Sequence, residues 1–424
     1  MAEKKNIKNI LIIKLSSIGD CLLATPAIES IRKAYPESSI TWLIEDKSKD
    51  IALLNPHIDK TIIIDKKNYK LKDYLKLIAL LKSHKFDMSL DLQGVDRTSL
   101  FAFLSGAKER YVEEYANLGF LSNKKISRTG RKLEHAAKFY LYLATSLGGL
   151  APDDIKLTFK TSTADKEFAD EFISEKFNFD QNTVFIGINA GGAWMTKKWP
   201  AEYFVKLSEL IFKKYDARIV IFGGKEDKIC SERIINSIKN NNNNIKAFIA
   251  DSTNKTTLMQ AKELIAKMDY FITGDSGLMH IAASIENGPE IIALFGPTSS
   301  ELTGPIGEDN IKILNSSLIC SPCFNKSCSL INKKELNNAN ANANANANAN
   351  ANANANANAN ANANANANAN ANDNIININN KNNLSLNIDL EKYALCMKKI
   401  CVSDVFKLIS GKPTHKLIPA KPNR

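Results

Sequence analysis

The sequence has no apolar run that reaches the roughly 18 residues needed to cross a bilayer. It has no recognisable secretory signal, because MAEKKNIKN leads into an apolar run of only strand length. Its seven cysteines are too few for the disulfide scaffold of a small secreted protein. We therefore expect a cytoplasmic protein that is at most peripheral to a membrane.

Three motifs of common enzyme classes are also missing. The first glycine-bearing turn has only Gly19, so it does not match the GxGxxG fingerprint of dinucleotide-binding proteins. Neither a Walker A sequence nor HExxH occurs. The missing dinucleotide fingerprint argues against a nicotinamide oxidoreductase. The chain has fewer acidic than basic residues, with 45 Asp and Glu against 56 Lys and Arg. The resulting net charge of +11 favours an anionic partner such as a nucleotide, a phosphorylated lipid or a membrane surface.

The sequence does contain a regular alternation of short apolar runs and amphipathic segments. Residues 9–15 are typical of a buried strand, and residues 18–34 have the apolar spacing of a helix. Further segments continue the alternation, with strands predicted at 39–43, 61–64 and 86–90 and helices at 71–81 and 133–147. Such an alternation predicts a parallel α/β sheet. A polar stretch over 150–165 indicates a linker, so the first domain is predicted to cover residues 1–155.

The alternation begins again in the second half of the chain, where four predicted strands each stop at a glycine-bearing loop. These strands cover residues 183–188, 218–222, 270–273 and 291–295. Loops at the carboxyl ends of parallel strands line the ligand crevice of an open α/β sheet. Residues 156–330 are therefore predicted to form a nucleotide-binding domain.

An uninterrupted Asn-Ala alternation covers residues 338–372. It has no large apolar side chain with which to offset the entropy of ordering, so it is predicted to be disordered, with a helix or an aggregating tract as alternatives. We interpret residues 331–388 as an insertion in a loop. Residues 389–424 are predicted to form a short helical segment and a basic tail.

Taken together, six motifs in order closely resemble glycosyltransferase family 9, the ADP-heptose:lipopolysaccharide heptosyltransferase family. They are LIIKLSSIGDCLLATPAIESIRKAYP, DLQG, GINAGGAWMTKKWP, IVIFGGKED, ITGDSGLMHIAAS and ALFGPTSSELTGP. The resemblance covers nearly the whole chain outside the insertion. It implies a GT-B fold, in which two Rossmann-like domains face each other across a cleft. It also implies inverting transfer of L-glycero-D-manno-heptose from ADP-heptose to Kdo or to the first heptose of the lipopolysaccharide inner core.

Asp20 follows the first strand, at the start of a helix, where residue type alone leaves an N-cap and an active-site carboxylate equally open. The resemblance implies that Asp20 is the general base for the acceptor hydroxyl. It also implies that Lys197 neutralises the donor diphosphate, with Lys198 as the alternative if the register differs by one residue. A solvated lysine before a helix is the simpler interpretation of either side chain.

Other donor contacts follow from the same resemblance. Five residues match the family's D-[ST]-G-x-x-H motif, namely Asp275, Ser276, Gly277, Leu278 and His280. In that motif the backbone N–H groups hold the phosphates and the aspartate meets the donor sugar. His280 alone is more often structural than catalytic. Glu226 resembles the acidic residue that binds the ribose hydroxyls, with a solvated carboxylate as the alternative, and Thr298 belongs to the phosphate-side G-P-T loop.

The acceptor side is predicted to include the S-x-G-D turn and the loop after the strand that ends near residue 90. The candidate residues are Ser17, Gly19, Asp91, Gln93 and Arg97. A basic run that includes Lys124 and Lys125 is a candidate site for lipid phosphates, against an ordinary solvated face. The expected partners are Kdo-lipid A or heptosyl-Kdo-lipid A at the inner face of the inner membrane, and no nucleic acid.

Four cysteines are similar to a C-x-P-C-F…C…C-M pattern found in some members of the family: Cys320, Cys323, Cys328 and Cys396. Four thiolates with C-x2-C spacing suit a structural Zn²⁺, although reduced thiols or a disulfide are alternatives. No cofactor is expected to be required for catalysis, and no catalytic metal is predicted. The competing functions are transfer from another nucleotide sugar and a non-catalytic scaffold.

Overall fold

The computed structural model describes residues 7–65, 68–129, 133–152, 154–241, 247–307, 309–328, 330 and 393–411. The predicted insertion at 331–388 and the end of the basic tail, from residue 412, lie outside the described residues. Two parallel sheets, each with flanking helices, make up the fold.

The first sheet has six parallel strands in the order β3-β2-β1-β4-β5-β6. Its strands are β1 Asn9–Ile13, β2 Ser39–Glu45, β3 Lys60–Ile64, β4 Met88–Asp91, β5 Glu109–Glu113 and β6 Lys124–Ile126. The strand order changes direction between β1 and β4, which pair in parallel with Ile13 opposite Asp91. A crevice opens at such a point, so the residues that follow β1 stand at the expected position of a ligand site.

Five helices of the described residues lie between these strands and a sixth follows β6: α1 Ile18–Leu23, α2 Thr25–Ala34, α3 Asp50–Leu53, α4 Leu71–Ser83, α5 Asp96–Leu104 and α6 Ala136–Thr145. The single helix predicted after β1 is in fact two helices. Pro26 lies in the first turn of α2, where its missing N–H leaves no hydrogen bond unmade. The break leaves α1 as a short segment whose first residues come directly from β1.

The second sheet has the order β12-β11-β10-β7-β8-β9, again all parallel. Its strands are β7 Val184–Asn189, β8 Ala217–Phe222, β9 Ile249–Asp251, β10 Tyr270–Gly274, β11 Glu290–Phe295 and β12 Ile311–Asn315. The order changes direction between β7 and β10. The prediction of two α/β units with parallel sheets is therefore confirmed, and the predicted boundary at residue 155 falls between the two sheets.

The helices of the second half are α7 Thr163–Lys176, α8 Ala201–Lys214, α9 Lys228–Asn241, α10 Leu258–Ile265, α11 Gly277–Ala283 and α12 Ser300–Thr303. Two short helices follow the insertion, α13 Leu395–Lys398 and α14 Val402–Lys407. Asn254 has a φ of 57°, a left-handed backbone conformation that asparagine tolerates better than most residues.

The residues after the insertion complete the core of the second half. Met397 and Val405 are fully buried in the cluster that contains Trp199 and Phe204. The indole Nε1 of Trp199 donates to the carbonyl oxygen of Ile400 at 3.0 Å. Residues 393–411 thus pack in the core of the second half, although the insertion separates them in sequence from the rest of that half.

One apolar cluster joins the two halves of the molecule. It contains Leu22 and Ile28 from the first half together with Met279 and Ile281 from the second. Helix α1 packs against α11, so the elements that follow β1 and β10 are direct neighbours. Among the described residues, no helix combines the length and the apolar character that a bilayer span requires.

Candidate active site

The contact between α1 and α11 brings two glycines into a tight fit. A Cβ atom on Gly19 would stand 2.5 Å from Cδ2 of His280, and one on Gly277 would stand 2.8 Å from Cγ2 of Ile18. Real Cβ atoms do not approach other heavy atoms this closely. Both positions therefore require glycine, which has no side chain. The predicted acceptor turn and the predicted donor motif therefore touch each other directly.

Asp20 lies in this contact region with both carboxylate oxygens engaged. Its Oδ2 accepts from the backbone N–H of Ser17 at 3.1 Å and from the Ser17 hydroxyl at 2.7 Å. Its Oδ1 accepts from the hydroxyl of Tyr140 at 3.3 Å. Ser17 is the N-cap of α1 and Asp20 is three residues on, which is the geometry of a capping box. Asp20 therefore caps the helix, and its catalytic role stays a prediction.

The surroundings of Asp20 favour its ionised form. Burial raises the pKa of this carboxyl, but the charge of Lys14 and the bonds from Ser17 outweigh burial and hold the pKa below its usual value. The side chain remains partly exposed to solvent. A carboxylate that is ionised, fixed in orientation and reachable has the properties required of a general base.

On the opposite side of the contact, Lys197 pairs with Asp275. The distance from Nζ to Oδ2 is 2.7 Å, and the ammonium also lies 4.4 Å from the centroid of the Trp194 ring. The neighbouring Lys198 pairs instead with Asp227 at 2.8 Å. The structure thus joins Lys197, rather than Lys198, to the first residue of the predicted donor motif.

Ser276 is held by a polar network that sequence reasoning missed. The side-chain amide of Asn189, at the end of β7, donates to Thr273 Oγ1 at 2.9 Å and to Ser276 Oγ at 2.8 Å. The Ser276 hydroxyl also accepts from the backbone N–H of Met279 at 3.3 Å and caps α11. Asn189 lies in the GINAGG motif. Its position at the end of an apolar strand is the sequence feature that could have indicated a place in the site.

His280 lies between the two halves of the site. It is 3% exposed, and burial lowers its pKa to about 4, although Asp275 and Asp20 both act to raise it. The imidazole is therefore neutral near pH 7. Within the described part of the chain, its Nδ1 atom is buried and has no hydrogen-bond partner, and the same holds for Oγ1 of Thr298 after β11.

The remaining donor residues are less engaged. Glu226 is exposed in the 3₁₀ turn Lys225–Asp227, and its contact with a ribose stays a prediction. Its neighbour Asp227 instead accepts from the N–H of Gly224 at 3.0 Å and pairs with Lys198. Leu278 is partly buried and packs on the apolar cluster that joins the two halves.

Asp91, predicted on the acceptor side, is buried at the end of β4. It is 1% exposed, and its Oδ1 accepts from the N–H groups of Gln93 at 2.9 Å and Gly94 at 3.0 Å, so its contact with an acceptor stays a prediction. Burial raises the pKa of this carboxyl. Its function in the structure is to fix the turn after β4.

Gln93 and Arg97 are also occupied by bonds within the protein. The Gln93 side-chain oxygen accepts from the N–H of Leu15 at 3.0 Å and of Ser16 at 3.2 Å, and so holds the turn that leads to Asp20. Arg97 forms an ion pair with Glu45. Contact of Gln93 or Arg97 with an acceptor stays a prediction.

The four cysteines of the C-x-P-C pattern line one pocket, together with Thr196, Pro297 and neighbouring residues. All seven cysteines are free thiols. Burial and the nearby thiols raise the pKa of Cys396 to about 12. Among the described residues, no group of three or more Cys, His, Asp or Glu side chains is arranged to hold a metal ion, so structural zinc stays a prediction.

A family model described as glycosyltransferase family 9 (heptosyltransferase) matches residues 74–334. Lipooligosaccharide heptosyltransferase 2 from Campylobacter jejuni is 29% identical over 321 residues, which cover 75% of this chain and 90% of that protein.

Two solved structures are similar in fold. The glycosyl transferase family 9 protein from Veillonella parvula aligns with a TM-score of 0.62 and 27% identity, over 72% of this chain and 85% of that one. The ADP-heptose lipopolysaccharide heptosyltransferase II of E. coli aligns with a TM-score of 0.62 and 21% identity, over 74% of this chain and 92% of that one.

Proposed function

Because this chain belongs to glycosyltransferase family 9, we propose that it transfers L-glycero-D-manno-heptose from ADP-heptose to the lipopolysaccharide inner core, with inversion at the anomeric carbon. The acceptor is Kdo-lipid A or heptosyl-Kdo-lipid A. The observation that carries the proposal is the position of Asp20 beside His280. Asp275 and Lys197, from the second half, lie near the same histidine, and the surroundings of Asp20 favour its ionised form. A base and a cation thus come from opposite halves of the GT-B fold.

In this proposal the acceptor hydroxyl gives its proton to Asp20 as its oxygen bonds to the anomeric carbon. The bond between that carbon and the phosphate oxygen breaks on the opposite face, so ADP leaves with the bonding electron pair. The negative charge that starts on Asp20 therefore ends on ADP. Transfer needs a group that accepts a proton on one side and a group that stabilises an anion on the other.

Lys197 is the proposed anion-stabilising group. Its side chain is only 15% exposed, and its partner Asp275 is 9% exposed, so the ammonium is partly desolvated. Charges interact more strongly in such surroundings than in bulk water. The diphosphate of the donor then competes with Asp275 for the ammonium, which leaves Asp275 available to the donor sugar.

The buried polar atoms of His280 and Thr298 also support a ligand on this side. Each lacks a protein partner among the described residues, and such atoms are costly to bury unless something bonds to them. Hydroxyl and phosphate oxygens of a nucleotide sugar are suitable partners. We place the enzyme in the cytoplasm and at the inner face of the inner membrane, where the net charge of +11 suits an anionic lipid surface.

The test is to incubate the purified chain with ADP-heptose and either Kdo-lipid A or heptosyl-Kdo-lipid A while ADP release is measured. We expect ADP release with one of the two acceptors and its loss, by about 10²-fold or more, in Asp20→Ala. Absence of turnover with both acceptors overturns the proposed substrate. Unchanged turnover in Asp20→Ala overturns the role of the base.

A family 9 transferase that uses another nucleotide sugar is the nearest rival. A thermal-shift panel of nucleotide sugars separates the two, because the preferred donor stabilises the folded state most. We expect ADP-heptose to give the largest rise in melting temperature. A larger rise with a nucleotide sugar of another base or sugar favours the rival.

A further inference from the structure

We propose that Lys14 and Tyr140 are positioning residues that keep Asp20 ionised and correctly aimed while anionic substrates fill the site. This inference rests on the proposed role of Asp20 as the base. It goes beyond that role because it assigns a function to a buried cation and a buried hydroxyl that are connected to the carboxylate by hydrogen bonds.

Lys14 is a charged residue in an unusual place. It follows the last residue of β1 and is 4% exposed, whereas lysine is rarely buried without a partner. Its Nζ donates to the hydroxyl of Tyr140 at 2.8 Å and lies 4.6 Å from the centroid of the same ring. Its backbone carbonyl accepts from the indole Nε1 of Trp42 at 3.0 Å. The strand, the indole and the phenol together hold the ammonium in one position.

Tyr140 connects this cation to the base. It is 7% exposed on α6, and its hydroxyl accepts from Lys14 while it donates to Oδ1 of Asp20. Burial raises the pKa of Tyr140 to about 12, so the phenol keeps its proton and remains a donor. The chain Lys14–Tyr140–Asp20 therefore has one possible direction for its hydrogen bonds. Ser17 donates to the second carboxylate oxygen, Oδ2, from its backbone N–H and its hydroxyl.

The other titratable groups around Asp20 are either neutral or largely exposed to solvent. Burial lowers the pKa of His280, on α11, to about 4, and burial raises the pKa of the Cys21 thiol to about 12, so both are neutral near pH 7. Lys47, beside α1, is 58% exposed and pairs with Glu45. Among the described residues, Lys14 is thus the buried and fully charged cation that lowers the pKa of Asp20.

A permanent buried charge has a clear use in this reaction. A donor diphosphate and an acidic lipid acceptor bring several negative charges close to Asp20, and like charges raise the pKa of a carboxyl. A raised pKa would leave Asp20 protonated and unable to accept the proton of the acceptor. Lys14 counteracts that effect from the protein side, and Tyr140 prevents the carboxylate from turning away from the cleft.

The first experiment measures the pKa of Asp20 directly, by ¹³C-carboxyl NMR of the free enzyme over a pH series. In the wild type we expect a value below the ordinary ~3.9 of aspartate. In Lys14→Met we expect a rise of about one unit or more, because an opposite charge has been removed. Lys47→Met is the matched control, since it removes an exposed lysine beside the same helix, and its Asp20 should titrate as in the wild type.

The second experiment compares the pH dependence of kcat. We expect the acid limb to move to higher pH in Lys14→Met. In Tyr140→Phe we expect a drop in kcat of about tenfold with a smaller move of the limb, because the phenyl ring keeps the packing but loses the hydrogen bond. Melting temperatures and ADP binding, which depends on the other half of the molecule, show whether each variant is folded.

The outcomes separate this inference from the proposed function. An Asp20 pKa and an acid limb that are the same in Lys14→Met and the wild type overturn the inference, even when the wild type is an active heptosyltransferase. A wild type that transfers no heptose overturns the proposed function, whereas the NMR titration still decides whether Lys14 controls the ionisation of Asp20. A Tyr140→Phe variant with unchanged kcat overturns the aiming role of the phenol.

Discussion

The imidazole of His280 lies directly over Gly19, at the place where α11 of the second half meets α1 of the first. A Cβ atom added to Gly19 would stand 2.5 Å from Cδ2 of His280 and 3.1 Å from its Nε2. The histidine is buried and neutral, so this is a packing contact rather than an ion pair. Asp20, the proposed base, is one residue from the contact, which links the geometry of the site to the fit between the two helices.

The first prediction tests this fit. Gly19→Ala should lower the free energy of unfolding by about 1–3 kcal/mol or push the two helices apart, because the site has no room for a methyl group. In either case transfer should fall by about tenfold or more. Gly119→Ala is the control, since its added Cβ would meet nothing closer than 4.0 Å. Thermal melting and ADP release are the measurements.

A double-mutant cycle gives the same prediction a sharper form. His280→Ala should recover part of the stability lost in Gly19→Ala, because it removes the atoms that the new methyl group meets. Strictly additive effects of the two substitutions would contradict direct contact between these positions.

The second prediction uses two adjacent lysines as a matched pair. Lys197 and Lys198 have side-chain exposures of 15% and 14%, and their ion-pair distances are 2.7 and 2.8 Å. Lys197→Met and Lys198→Met should therefore cost similar stability. We expect only Lys197→Met to lower kcat strongly, by about 10²-fold, because its ammonium adjoins the donor motif. Equal losses of kcat in the two variants would contradict this assignment.

The third prediction separates a structural carboxylate from an acceptor contact. Asp91→Ala should lower the free energy of unfolding by about 1–3 kcal/mol, because two partly buried backbone N–H groups lose their acceptor. Asp96→Ala, at an exposed position in the first turn of α5, should cost much less. Denaturant titration measures both. A raised KM for the acceptor with unchanged stability in Asp91→Ala would support the acceptor role.

The fourth prediction concerns the Asn-Ala tract. Deletion of residues 338–372 should leave kcat within a few-fold of the wild-type value, since the candidate site is built from residues outside the insertion. The melting temperature of the deletion variant shows whether the shorter connection still lets residues 393–411 reach the second sheet. Loss of transfer in a variant that is fully folded would favour the alternative in which the insertion carries the function.

The fifth prediction concerns the thiol pocket. If the pocket holds a structural Zn²⁺, protein purified under reducing conditions should contain about one Zn²⁺ per chain, and a chelator should lower its melting temperature. Cys323→Ser should lower the zinc content, whereas Cys230→Ser, outside the pocket, should not. Metal-free protein with an unaltered melting temperature would favour the reduced-thiol alternative.

The sequence predicted the two-sheet architecture well, because buried parallel strands such as β7 and β10 are continuous apolar runs that stop at glycines. It missed β5, β6, β9 and β12. Three of these are edge strands, and β6 has the sequence Lys-Lys-Ile, which was interpreted as a basic patch. Short edge strands bury little, so their composition resembles that of a solvated loop.

The site was predictable where a motif is local and not where it depends on distant residues. The positions of Asp20, Lys197 and Asp275 followed from short motifs. Tyr140 was inconspicuous, because nothing near it in sequence indicates that its hydroxyl meets Asp20 across the fold. Asp91 shows the limit of a local pattern. A polar residue at a strand end is typical of a ligand site, but the carboxylate of Asp91 accepts hydrogen bonds from its own turn.

The position of core residues after the Asn-Ala tract has a consequence for the gene. Each Asn-Ala dipeptide corresponds to a whole number of codons, so a change in the number of dipeptides alters the length of the tract and keeps the reading frame. A shift out of frame, or a stop within the tract, would remove Met397 and Val405, which complete the core around Trp199. A change in repeat number therefore leaves these core residues encoded, whereas a loss of frame removes them.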